Sequence, residues 1–299
     1  MASLIQNIAR LAINTFRRDK QLSQTNFKKN YDQLCDLLAR LTPSDLRIDP
    51  ALLVDRGRFN PSRDGAPVTY MQIYEDFDLT ICVFILKRGV RLPLHDHPGM
   101  CGLLKVVHGV VSIQSYTFIS DSNTSETGAP TFPNTPDLPS PTQPLGLGFS
   151  HTRVMAATKH PTLTATASAA PCQLSPNANN VHEIHSIDGP AAFLDILSPP
   201  YGADERMGLE RDCHYYKEVN VSPTSPQEVR SNGHSVFLYR VETPSDFWCD
   251  QADYCGPVIE CDRDKENGVE RERERERVSE RERERERERV SVFLLLLLL

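Results

Sequence analysis

The stretch from Gly89 to Gly109 constrains the fold more than any other part of the chain. It runs Gly89-Val90-Arg91-Leu92-Pro93-Leu94-His95-Asp96-His97-Pro98-Gly99-Met100-Cys101-Gly102, then Leu103-Leu104-Lys105-Val106-Val107-His108-Gly109. Short apolar runs cut by glycine and proline describe strands joined by tight turns. Residues two apart on a strand project from one face, so His95 and His97 set two imidazoles side by side. Such a pair is half of a metal site, and neutral imidazole suits iron, zinc, copper and nickel.

The same punctuation extends in both directions. Residues 69–74, 79–87, 102–108, 110–118, 181–187, 191–197 and 214–219 read as strands, and 235–242 closes the series. Many short strands bounded by turn residues predict an all-β barrel or jelly roll. Residues 120–150 are rich in Ser, Thr, Pro and Asn, and 158–180 in Ala, Thr and Pro. Both are too poor in large apolar side chains to form a core of their own, so they are expected to be surface excursions, as is 221–233. The organisation expected is a helical extension over 1–67, a β domain over 68–259 with variable loops near 120–180 and 221–233, and a tail over 260–299.

In the first 18 residues there is no acid; they carry Arg10, Arg17 and Arg18, and Leu4, Ile8, Leu11 and Thr15-Phe16 lie along one helical stripe. A mitochondrial presequence has that character. The other reading is a helix packed on the barrel and continued by 26–41, with Tyr31, Leu34, Leu38 and Leu41 facing inward, which the family resemblance given below favours. The tail alternates Glu and Arg over 270–289, broken only by Val278-Ser279. That pattern forms a solvated charged helix or stays disordered. It is also what a repeated GA dinucleotide encodes, so a gene-model artefact is the other expectation. The leucines at 294–299 fall far short of the roughly 20 apolar residues that span a bilayer.

A net charge of −7 offers no electrostatic case for nucleic acid or an anionic membrane. Eight scattered cysteines without a repeated Cys-x-x-Cys, and no signal peptide, fit reduced thiols in the cytoplasm rather than a disulfide framework or zinc ribbon. No glycine-rich nucleotide fingerprint is present. For a third metal ligand, His182 and His185 in Val181-His182-Glu183-Ile184-His185-Ser186-Ile187 compete. On a regular strand His182 shares a face with Ile184 and Ser186, and His185 with Glu183 and Ile187. Only one of them can point inward, and the residues themselves do not say which.

The spacing of Gly89, His95, His97 and Gly109 resembles the first metal motif of the cupin β-barrels. Many cupins carry a glutamate ligand where this chain has Gly102. A site lacking that carboxylate keeps more positive charge and leaves room for an anionic ligand such as a thiolate. Three longer strings sharpen the likeness: His95 to Met100; Asp188-Gly189-Pro190-Ala191-Ala192-Phe193-Leu194-Asp195-Ile196-Leu197-Ser198-Pro199-Pro200-Tyr201; and Arg211-Asp212-Cys213-His214-Tyr215-Tyr216. Over roughly residues 1–259, apart from two variable loops, the chain resembles the family of cysteamine dioxygenases and plant cysteine oxidases.

That resemblance implies a cupin-type jelly roll binding one Fe(2+) per chain through His95, His97 and His182, with His185 as a neighbour. It implies O2 as co-substrate and addition of both oxygen atoms to sulfur, giving a sulfinic acid. The substrates implied are cysteamine, giving hypotaurine, and proteins with an exposed N-terminal cysteine, whose oxidation would make the enzyme an oxygen sensor. Cys213 and Tyr215 match a pair that forms a thioether cross-link in animal members of the family. Asp195, a carboxylate among apolar residues, is costly to bury unless paired and becomes the candidate anchor for the substrate ammonium. Tyr201 is expected on a mobile loop over the mouth, and Cys101 in a packing role beside the metal motif. A monomer is expected. The rival reading is a non-catalytic metal-binding cupin or partner-binding module, since fold does not dictate function.

Overall fold

The computed structural model describes residues 2–18, 22–119, 154–204, 208–219 and 235–260. The elements below all belong to the compact unit Met1–Pro257. The Glu-Arg tail and the stretches 120–150 and 221–233 lie outside the described residues. No helix among the described residues is long and apolar enough to cross a membrane.

Helix α1 (Leu4–Phe16) begins at a capping box, in which the Ser3 side chain accepts the Gln6 N–H and the Gln6 side chain accepts the Ser3 N–H. Its buried seam is Ile5, Ile8, Ala9, Ala12, Ile13 and Phe16, rotated from the predicted stripe: Leu4 and Leu11 are only half-buried. Each fully buried Ile or Phe contributes about 1.5–3 kcal/mol. Helix α2 (Gln24–Ala39), capped by Ser23, buries Leu34 and Leu38 as expected, and Leu41 follows them inward. The two helices meet through Phe16, whose ring lies 6.0 Å from Phe27 and 6.3 Å from Tyr31. A 3-10 turn (Pro50–Leu53) and α3 (Pro61–Asp64) lead into the sheets.

Fifteen strands follow among the described residues: β1 (Val68–Glu75), β2 (Thr80–Leu86), β3 (Arg91–Asp96), β4 (Cys101–His108), β5 (Val110–Phe118), β6 (Val154–Lys159), β7 (Leu163–Thr166), β8 (Cys172–Leu174), β9 (Val181–Ser186), β10 (Ala191–Ser198), β11 (Gly202–Asp204), β12 (Leu209–Arg211), β13 (Tyr215–Glu218), β14 (Ser235–Val241) and β15 (Cys249–Gln251). One sheet has the order β15-β1-β2-β10-β4-β8; the other has β6-β14-β13-β3-β9-β5-β7, and pairing of β5 with β6 closes it into a six-strand barrel. This is the predicted all-β cupin-type barrel with helices at its N-terminus.

Gly109, the last glycine of the opening motif, joins β4 to β5 at φ +72°, and a Cβ there would stand 2.2 Å from the Pro190 carbonyl oxygen. Only glycine permits that turn and that approach. Two apolar clusters flank β3 and β9. Leu92, Ile184, Val111 and Ile113 join Leu86, Leu104, Val106 and Phe193 between the two sheets. On the opposite face Leu94, Val181, Tyr116, Ala157, Tyr216 and Leu238 fill the closed barrel.

One expectation fails. Residues 158–180, read from composition as an excursion, supply β7, β8 and the end of β6. A small side chain is what the inward position on β7 requires: Ala165 is buried among neighbouring strands. The buried Lys105 completes the anchoring by donating to the Ala167 and Ala169 carbonyls at 2.6 and 2.7 Å. Composition registers a lack of large apolar residues but not an ammonium that binds the turn from the neighbouring sheet.

Candidate metal centre

A bulge decides the geometry. Strands β3 and β9 pair Arg91 with His185 and Leu92 with Ile184, then the register shifts by one so that His95, not Leu94, stands opposite His182. The extra residue sits at Pro93-Leu94, where a proline without an N–H loses nothing from the ladder. The Pro93 carbonyl, freed from regular pairing, accepts from His95 Nδ1 at 2.7 Å. A carbonyl can only accept, so the proton is on Nδ1 and the Nε2 lone pair is available for a ligand. His97, just beyond the strand, donates its backbone N–H to the Asn180 carbonyl at 2.8 Å, with Nδ1 3.4 Å from the same oxygen.

The result is a three-histidine metal site. His95, His97 and His182 are buried, each with a ligand nitrogen within 4.8 Å of the others. Their rings are 4.7–4.9 Å apart, centroid to centroid. Burial lowers the pKa of His95 below its ordinary value; burial and the neighbouring imidazoles push His97 and His182 well below. All three are neutral near pH 7, the form that binds a metal. His185 lies half-buried on the other face, opposite Arg91.

Among the described residues no carboxylate joins the three histidines, and Gly102 stands where the sequence comparison looked for one. A Cβ there would meet Leu174 at 2.8 Å and Leu197 at 3.0 Å. Leucines from β8 and β10 thus occupy the space a longer side chain would need, leaving an apolar wall. Cys101, one residue earlier on β4, takes the alternate face and interacts with Tyr31 of α2.

Tyr201 links the remaining candidates, standing beside His97 and interacting with both Cys213 and Asp195. Tyr201 is docked rather than poised over a mouth: its hydroxyl donates to the Asp96 carbonyl at 2.5 Å and its ring lies 5.7 Å from that of His97. It also contacts Cys213, whose thiol meets Tyr215 as well. Cys213 precedes β13 rather than lying on it, yet the thiol–phenol contact exists. Burial, partly offset by the two hydroxyls, pushes the Cys213 thiol up to about 11. Tyr215 is paired across the strands with His95, placing it on the metal-facing side. Asp195 shares its face of β10 with Phe193 of the inter-sheet core. Burial pushes its carboxyl up to about 7, against the Ile196 N–H. Among the described residues no salt bridge reaches it.

The sequence reading missed Asp96. It accepts from the His214 N–H at 2.8 Å, His214 Nδ1 at 3.1 Å and the Tyr216 hydroxyl at 2.8 Å, while its own N–H donates to the His214 carbonyl. Its position between two inward histidines was the available signal, since strand alternation turns it to the opposite face.

Against known proteins, residues 37–259 match the PCO_ADO family model. The chain is 38% identical over 266 residues to a 2-aminoethanethiol dioxygenase of Mus musculus, covering 87% of this chain and 97% of that protein. It is 36% identical over 279 residues to the Homo sapiens protein of the same name, with the same coverage. It is 26% identical over 242 residues to plant cysteine oxidase 2 of Arabidopsis thaliana, covering 78% and 75%.

Proposed function

This chain belongs to the PCO_ADO family, and we propose that it is an iron(II) thiol dioxygenase acting on the 2-aminoethanethiol unit. The unit is supplied as cysteamine or as the N-terminal cysteine of a protein, the substrates suggested by the relatives' names. The observation that carries the reading is the site itself: three buried neutral imidazoles whose ligand nitrogens converge, joined by no carboxylate among the described residues. In net terms RSH and O2 become RSO2H, with both oxygen atoms retained on sulfur. When bound, iron(II) supplies open coordination positions and the electron transfer that lets O2 react with a thiolate.

His95, His97 and His182 would hold the metal as three neutral ligands, and a metal held so would favour the thiolate form of a bound thiol. Asp195 receives the substrate ammonium, an arrangement that draws its carboxyl back to the charged form. Tyr201, fixed by the Asp96 carbonyl, orients the bound substrate over His97. Cys213 and Tyr215 form the thiol–phenol pair competent for cross-linking beside the site. Leu174 and Leu197 exclude water from the side where other cupins place a carboxylate. We place the enzyme as a monomer in the cytoplasm; the described cysteines are all free thiols, in keeping with a reducing compartment.

The test is anaerobic reconstitution with iron(II), followed by O2 uptake with cysteamine, an N-terminal-cysteine peptide and free cysteine, and mass detection of sulfinate. Sulfinate from the first two, abolished by His182→Ala, is expected. A folded, iron-loaded chain that consumes no O2 with any thiol would sink the proposal in favour of a binding module.

A further inference from the structure

Tyr201 and Cys213 touch although eleven residues separate them, and the intervening hairpin explains how. Strands β11 and β12 pair Gly202 with Arg211, so the hairpin base brings the residue before it and the residues after it together. The hairpin is itself held by a charged node. Arg18, just beyond the end of α1, donates to the Asp204 carboxylate, to the Phe77 carbonyl and, at 3.1 Å, to Asp78 Oδ1. Arg211 Nη1 donates to the same Asp204 oxygen at 3.0 Å. The Asp78 carbonyl also accepts from the Ser198 hydroxyl at 2.6 Å, three residues before Tyr201. The side chains of Asp78 and Asp204 are 0% and 5% exposed. Arg18 reaches both enclosed carboxylates, and Arg211 shares Asp204 with it, so the arginine joins the hairpin to the turn that holds Asp78.

We infer that Arg18 is a positioning residue for the thiol-oxidation site: it ties the β11–β12 hairpin to the β1–β2 turn and so holds Tyr201 against His97 and Cys213. The inference rests on the proposed activity for its functional consequence but not for its geometry. It gives Arg18 a role in the folded enzyme, and a chain cut after Arg18 loses the contact.

The experiment compares Arg18→Ala and Asp204→Asn with the unaltered full-length, iron-loaded chain. Amide hydrogen exchange is expected to accelerate about tenfold in peptides covering 199–204 and 208–214 and to stay unchanged in β3 and β9, with iron content preserved. Activity with cysteamine is expected to fall about tenfold, but less than threefold when Arg18→Ala is added to Tyr201→Phe, because a residue acting through Tyr201 is not additive with it. If Arg18→Ala does not fold, Arg18→Lys, which keeps the charge and loses the fork, gives the same pattern at smaller amplitude. Unchanged exchange in the hairpin, acceleration spread through β3 and β9, or equal activity losses in both backgrounds overturns the inference. An unaltered chain that oxidises no thiol removes the proposed activity, while the exchange result still decides the clamp.

Discussion

Strands β3 and β9 carry similar polar chemistry to opposite sides, and the two sides treat it differently. Facing the inter-sheet core, His95, His97 and His182 are neutral imidazoles whose ligand nitrogens converge. Facing the closed barrel, Asp96 accepts three hydrogen bonds, two from His214 and one from Tyr216. The first face is built to take something from outside; the second is complete in itself. A saturated network fixes the backbone, and the fixed backbone aims the ligands on the reverse side.

That contrast is broken most severely by His182→Ala, which is expected to remove iron and lower activity more than about 1,000-fold while the melting temperature of the metal-free protein barely moves. Iron content and O2 uptake read the first, calorimetry the second. Asp96→Ala should do the reverse. Loss of its charge-assisted hydrogen bonds is expected to cost about 2–4 kcal/mol in denaturant unfolding, with iron still bound at a lower affinity. Equal iron loss in both variants would end the distinction between the two faces.

Asp195 sharpens it through pH. Its carboxyl is about 7 in the folded chain against an ordinary 3.8, so the native state binds the proton more tightly than the unfolded state does. Its contribution is therefore fully present below pH 3.8 and is lost as pH rises to about 7, a swing of up to about 4 kcal/mol. Asp195→Asn is expected to raise the stability of the metal-free protein at pH 8 and to change it little at pH 4, while weakening cysteamine binding. The buried histidines act in the opposite sense, destabilising the metal-free chain as pH falls through the ordinary imidazole value.

Gly102→Ala is the gentlest probe. With Leu174 and Leu197 already in the space, it should cost about 1–3 kcal/mol by overpacking. Leu174→Ala in the same chain is expected to recover part of that loss, as measured by urea midpoints, whereas additive losses would mean that the leucine wall is not what excludes a side chain there.

Much of this was legible beforehand where neighbours in sequence carry the signal. The His95/His97 pair follows from strand alternation, Gly109 from its turn, and the strand succession from its glycine and proline punctuation. Other features were not legible because they depend on distant partners. The Ala- and Thr-rich stretch looks like a loop until Lys105 and the enclosing strands are in place. Tyr201 looks like a lid residue until the Asp96 carbonyl accepts its hydroxyl, and Arg18 looks like leader chemistry until Asp78 and Asp204 surround it.

By itself, then, the amino-acid order determined a barrel of short strands with two imidazoles on one face, since both depend on periodicity within a few residues. Strand alternation alone left His182 and His185 equal. Tertiary structure placed one of them: a single extra residue at Pro93-Leu94 shifts the β3–β9 register and sets His182 opposite His95. Cross-strand register belongs to the pair, not to either strand, and one residue of slip turns every side chain to the other face.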